Sequence, residues 1–354
     1  MAGFVNPWLH RADRSCTIRS IGGAAAREGG DIAPSRRTVR QALAELRDTY
    51  ARQGGTRLAA AYRALRTDRW LVRWIRASIE RIVPVERFLE LAGRFDEAIR
   101  DRGYAAGCRA VLEDIALCFD RTISPEASAR LGDSPVLLFG NHPSLLTPFL
   151  IGASLDRQDV RVLSTAYVRR LIPSLETASF PVEVPLTRFR SEWKKGGWRR
   201  AATSRLISCL GVGRSPEECK ETNRRSLSDM VDHLVAGGCG VMFPDGGSRR
   251  SDTWFPGIGI VAQRVAAAMR DRMVYLVPIR EEHSTNQRVY AQLRDGLWSR
   301  GKRAILYRRP IRLRVGAPIP LAEIVTPHAT VEEIISRLRS HYAMAFTGAS
   351  SLVR

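Results

Sequence analysis

The feature that most constrains this chain is a change of texture at Pro135. Beyond it, short apolar runs alternate with stretches whose apolar residues recur every three or four positions. That alternation predicts an α/β fold with a largely parallel, mixed sheet flanked by helices. Strands are expected over 136–139, 160–165, 182–185, 240–243, 273–278 and 311–315, and helices over 145–154, 224–236, 258–269 and 331–342.

Upstream of Pro135 the periodicity is helical. Val39, Leu43, Leu46 and Tyr50 share a face, Leu58, Tyr62 and Leu65 continue the pattern, and Pro84 interrupts it. A third helix opens at Pro84 with Phe88, Leu89, Leu91 and Phe95, and a fourth carries Val111, Ile115, Leu117 and Phe119 up to Pro125. Residues 37–130 are therefore read as an N-terminal helical bundle and residues 131–354 as the α/β domain. Residues 1–36, rich in Gly, Ala, Arg and Ser without periodicity, read as a disordered arm. The polar, basic stretch 192–220 reads as an inserted loop or short helices, and no internal repeat is found.

A formal net charge of +20 calls for an anionic partner: nucleic acid, an acidic bilayer, a phosphorylated substrate or an acidic carrier protein. The arginines are dispersed, as in Arg36-Arg37, Arg169-Arg170, Arg199-Arg200 and Arg308-Arg309, and no nucleic-acid motif accompanies them, which argues against nucleic acid. The six cysteines form no Cys-x-x-Cys pair, so neither a metal site nor a disulfide framework is expected, and free thiols point to the reducing cytoplasm. No run approaches the roughly 18 apolar residues of a membrane span. His10, Arg11, Asp13 and Arg14 interrupt the place of a signal core. The chain is expected in solution or on the inner face of a membrane. Trp193 and Trp198, set among the cations of 188–200, suit either an anionic bilayer interface or a solvated basic loop with its tryptophans folded inward.

The first strand of the domain runs directly into Gly140-Asn141-His142-Pro143-Ser144. An imidazole at the C-terminal end of a strand occupies the edge where open α/β sheets bind ligands, and histidine is the commonest general base. Further along, another strand ends in Phe243-Pro244-Asp245-Gly246-Gly247-Ser248-Arg249-Arg250. Backbone amides, a hydroxyl and two guanidinium forks in succession suit a phosphate.

These two segments resemble motifs of the glycerolipid acyltransferase superfamily. Asn141-His142-Pro143-Ser144 is similar to the opening of its His-x-x-x-x-Asp motif, and Phe243 to Arg249 to its Phe-Pro-Glu-Gly-Thr-Arg-Ser block. Weaker similarities are Val184-Pro185-Leu186-Thr187-Arg188, Leu276-Val277-Pro278-Ile279 and Gly316-Ala317-Pro318-Ile319. Residues 223–252 look most like the soluble glycerol-3-phosphate acyltransferases, which also carry a preceding helical bundle.

The resemblance implies one-step transfer of an acyl group from acyl-CoA or acyl carrier protein to the hydroxyl of a glycerol phosphate or lysophospholipid, with no cofactor beyond the donor. His142 would be the base. Asn141, Ser144 and Thr147 would order its loop, Asp245, Gly246, Gly247 and Ser248 would shape the second loop, and Arg188, Arg249 and Arg250 would hold phosphate.

One position departs from the pattern: Thr147 stands where the family has its Asp. A hydroxyl orients an imidazole but carries no charge, and loss of the corresponding Asp in serine-protease triads lowers turnover by about 10⁴. Three explanations stay open. Another carboxylate substitutes, with Asp156, Asp159 and Asp245 as candidates; the Thr suffices; or the chain is a non-catalytic lipid- or carrier-binding homologue.

Overall fold

In the computed structural model, residues 48, 58–63, 77, 80, 84–183, 215–246, 253–269, 272–282 and 311–347 are described. All lie in the unit Arg37–Arg354. The expected N-terminal arm, Arg188, Gly247, Ser248, Arg249 and Arg250 fall outside the described residues, as does most of the first helical stretch.

In chain order the elements are α1 (Leu58–Arg63), α2 (Val85–Asp114), β1 (Phe119–Ile123), α3 (Pro125–Leu131), β2 (Val136–Gly140), α4 (Thr147–Ala153), β3 (Val160–Thr165), α5 (Ala166–Leu171), α6 (Leu175–Ala178) and β4 (Ser179–Val182). There follow α7 (Pro216–Val235), β5 (Cys239–Met242), α8 (Gly257–Ala268), β6 (Tyr275–Glu281), β7 (Ile311–Val315), β8 (Ile319–Pro320), α9 (Leu321–Ile324) and α10 (Val331–Thr347). The strands form one sheet in the order β1-β7-β6-β2-β5-β3-β4, with β8 beside β6. Strands β6, β2, β5, β3 and β4 run parallel, whereas β7 and β8 pair with β6 in the antiparallel sense. The architecture is thus the expected α/β fold with a largely parallel, mixed sheet.

Strand side chains alternate between two cores, as a period of two requires. Val136, Leu138, Val241, Val277 and Ile279 join a core built with α2, α3, α4 and α6. Leu137, Phe139, Met242 and Leu276 join the opposite core, built with α7, α8, α9 and α10. The expected third and fourth helices form one element, α2, interrupted at Gly103, whose φ of 81° and ψ of 172° are not helical. Phe119 lies in β1 rather than in a helix. Its strand shows an intermediate-exposed-exposed-exposed-intermediate burial pattern, typical of a sheet edge and without the apolar run that betrays a buried strand. Strand β4 ends where the sequence places its start, and Pro181 sits within it. An edge strand tolerates that proline because one side of its ladder has no neighbour. Helix α7 begins earlier than expected, at a Ser215/Glu218 capping box hidden in the polar stretch.

Two contacts set the ends of the central strands. A Cβ at Gly140 would stand 1.9 Å from the carbonyl oxygen of Ile279, so the last pair of β2 and β6 requires glycine. At the opposite end, Arg157 is buried and forks onto Asp159 at 2.8 and 2.6 Å. The same guanidinium donates to the carbonyls of Leu131, Ser134 and Gly237. It thereby joins the segments that enter β2, β3 and β5.

Candidate active site

Strands β5, β2 and β6 are adjacent and parallel, so their C-terminal ends open on one edge of the sheet. Asn141 follows β2 and closes the ladder with its side chain in place of backbone. Its Nδ2 donates to the Glu281 carbonyl at 2.9 Å, and the Glu281 N–H donates to its Oδ1 at 2.9 Å. Asn223 does the same for Glu183 beyond β4, at 3.0 and 2.8 Å. Side-chain amides thus finish two strands at the edge that carries the candidate chemistry.

His142, next in the chain, stacks on Phe243 with ring centroids 4.6 Å apart and planes 27° off parallel. Its backbone N–H donates to Asp245 Oδ2 at 3.4 Å, across 103 residues of sequence. Asp245 is buried, in a turn where the Gly246 N–H donates to the Phe243 carbonyl at 2.9 Å. Gly246 has φ +58°, and a Cβ there would meet the Phe255 ring at 2.8 Å, two independent reasons for glycine. The structure therefore brings together Asn141, His142, Ser144, Thr147, Asp245 and Gly246.

The imidazole Nδ1 is buried and has no hydrogen-bond partner among the described residues. Burial disfavours the imidazolium and pushes the His142 pKa down to about 4, with the Ser144 backbone working in the other direction. The ring is neutral at pH 7, in the form a base requires. A stability consequence follows. Below pH 6.5 the unfolded chain protonates this histidine while the folded chain resists until about pH 4, so stability is lost as pH is lowered through that window. The shift corresponds to about 3 kcal/mol, fully present above the ordinary imidazole pKa. Denaturation midpoints measured through this range are expected to fall more steeply for the wild type than for His142→Gln. Equal slopes would assign the acid sensitivity elsewhere.

The loop that carries His142 converges on a residue that the sequence does not single out. Glu281, the last residue of β6, is 1% exposed. Ser144 Oγ donates to its two carboxylate oxygens at 2.8 and 2.9 Å, and Thr147 Oγ1 donates to Oε2 at 2.5 Å. Thr147 Oγ1 in turn accepts from the Ser144 N–H at 3.3 Å. The Tyr104 hydroxyl, from α2, donates to the Pro148 carbonyl at 3.1 Å and fixes the start of α4.

Two of the carboxylates considered from sequence are engaged elsewhere. Asp156 pairs with Arg109 at 3.2 Å, and Asp159 with the buried Arg157 at 2.6 Å. Asp245 reaches the His142 backbone as described. Glu281 escapes notice because Arg280-Glu281-Glu282 reads as a solvated exit from an apolar strand. The available signal is the period of two: Val277 and Ile279 face the core that holds α4, and Glu281 is next on that face.

The chain matches no protein-family model and no curated protein sequence. Among solved structures it is similar to the crystal structure of the 1-acyl-sn-glycerophosphate (LPA) acyltransferase PlsC from Thermotoga maritima. That likeness spans 77% of this chain and 94% of the other, at 13% identity and a TM-score of 0.34. No helix among the described residues is long and apolar enough to cross a membrane.

Proposed function

We infer that this chain is an acyltransferase that moves a fatty acyl group from a thioester, acyl-CoA or acyl carrier protein, to the hydroxyl of a glycerol phosphate or lysophospholipid. One observation carries the reading: the two segments that resemble glycerolipid acyltransferase motifs meet in space, with the His142 N–H on the Asp245 carboxylate at 3.4 Å. In the reaction, His142 takes the proton of the acceptor hydroxyl as its oxygen attacks the thioester carbonyl. The tetrahedral adduct collapses with cleavage of the C–S bond, and the departing thiolate takes the proton back from the imidazolium. Leu145, 47% exposed in the same loop, offers apolar surface to an acyl chain. Arg188, Arg249 and Arg250 supply cations for the acceptor phosphate, and the basic, Trp-containing stretch 188–200 seats the protein on an anionic membrane surface.

A second reading, a non-catalytic lipid- or carrier-binding protein, draws on Thr147 in place of the motif's Asp together with an imidazole held down to about 4. A panel of acyl-CoA and acyl carrier donors against phosphorylated glycerol and lysophospholipid acceptors separates the two. Product formed by the wild type supports transfer; saturable donor binding without product supports the second reading. Arg249→Ala and Arg250→Ala are expected to raise the acceptor KM by about tenfold each with kcat little changed, because phosphate is charged in both ground and transition states. Unaltered KM values would remove both arginines from the site.

A further inference from the structure

We propose that Glu281 is the positioning acid of this site, a carboxylate delivered from the neighbouring strand β6 that supplies, through Ser144 and Thr147, the negative charge which residue 147 itself lacks. The role rests on His142 acting as the base proposed above. Three features carry it. Glu281 continues the face of Val277 and Ile279 into the core that packs α4, and Phe243, on which the His142 ring stacks, packs against the same core. Both of its carboxylate oxygens are taken by hydroxyls of the histidine loop at 2.5 to 2.9 Å, one of them from Thr147. Its own backbone is locked to Asn141, the residue before His142, by two reciprocal bonds. A displacement of Glu281 therefore moves the residues on both sides of the imidazole.

The chemistry this arrangement serves is the brief positive charge on the ring. A general base in an apolar pocket takes a proton only as far as its conjugate acid is tolerated there, and a fixed carboxylate in a water-poor site lowers that cost. Thr147 keeps the geometry of a short polar side chain at the start of α4 while the charge arrives from across the sheet. Ser144 makes the second hydroxyl contact with the same carboxylate. Asp245, the other carboxylate at this edge, contacts the His142 backbone from the loop after β5 and is common to every comparison below.

The experiment uses the full chain with Glu281→Gln, which preserves shape and removes charge. Folding is checked by circular dichroism, transfer by steady-state kinetics, and His142 by NMR titration of labelled histidine, its signal assigned against His142→Gln. Expected are a fall in kcat of about 10²-fold with the acceptor KM changed by less than about twofold, and a lower titration midpoint for His142. Restoring a carboxylate in the double variant Thr147→Asp/Glu281→Gln is expected to recover both. An unchanged midpoint would reduce Glu281 to a brace for the loop and overturn the proposal, whatever the activity. Should Glu281→Gln fail to fold, Thr147→Val decides, because it removes one hydroxyl of the route and keeps Glu281: a folded protein with a lowered midpoint supports the proposal, and one with the wild-type midpoint overturns it. A wild type that transfers no acyl group, with the midpoint still lowered by Glu281→Gln, counts against acyl transfer and for Glu281. Transfer that is indifferent to Glu281→Gln counts against Glu281 alone.

Discussion

His142→Ala is expected to lower the rate of acyl transfer by about 10³-fold, the middle of the range over which positioned general bases contribute. The acceptor KM should move little, because the imidazole acts on a proton in flight rather than on the bound phosphate. Stability at neutral pH should fall only by the packing lost with the stack on Phe243, because among the described residues Nδ1 has no hydrogen-bond partner to lose. Single-turnover measurements with a saturating donor isolate the chemical step. Transfer at the wild-type rate would remove His142 from the mechanism.

The second large effect is expected at Thr147, and here the structure reverses what the motif alone suggests. Read from sequence, Thr147→Asp restores the family's carboxylate and accelerates transfer if the cleft is otherwise intact, and slows it if another carboxylate already serves the ring. In the fold, Thr147 Oγ1 lies 2.5 Å from Glu281 Oε2, and both residues are buried. Two carboxylates at that distance cannot both ionise in a dry pocket, so they must share a proton or separate. Thr147→Asp is therefore expected to destabilise the protein by about 3 kcal/mol at neutral pH and to lower transfer. The loss should shrink as pH falls and the pair takes up its proton. Urea denaturation at several pH values checks this. A single variant that is as stable as wild type and faster would show that the two carboxylates do not meet.

That reversal marks where the sequence was legible and where it was not. Central strands announce themselves by an apolar run, as in β2, or by alternation, as in β7, and β3 and β7 match the expected ranges residue for residue. The helices facing the two cores are visible for the same reason, through Ile258, Val261 and Val265 in α8 and Ile334 and Leu338 in α10. Edge strand β1 is polar and carries no such run, so it was invisible next to the helical pattern before it. The site divides similarly. His142 and Asp245 are adjacent to strand ends in sequence, and their motifs expose them. Glu281 is functional only through register: it faces Ser144 and Thr147 because β6 lies beside β2, a pairing that no local pattern specifies.

Arg157 gives this division a consequence of another kind. One guanidinium holds the entrances of β2, β3 and β5, and its loss would strand three carbonyls and the Asp159 carboxylate together. The edge that carries His142 lies at the far end of the same strands. A change confined to that edge leaves the Arg157 clasp untouched, so any instability it brings arises at the edge itself, as at Gly140 or in Thr147→Asp. Damage at the two ends of the sheet is thereby separable: at one end it loosens how the strands enter, and at the other how the histidine loop is held.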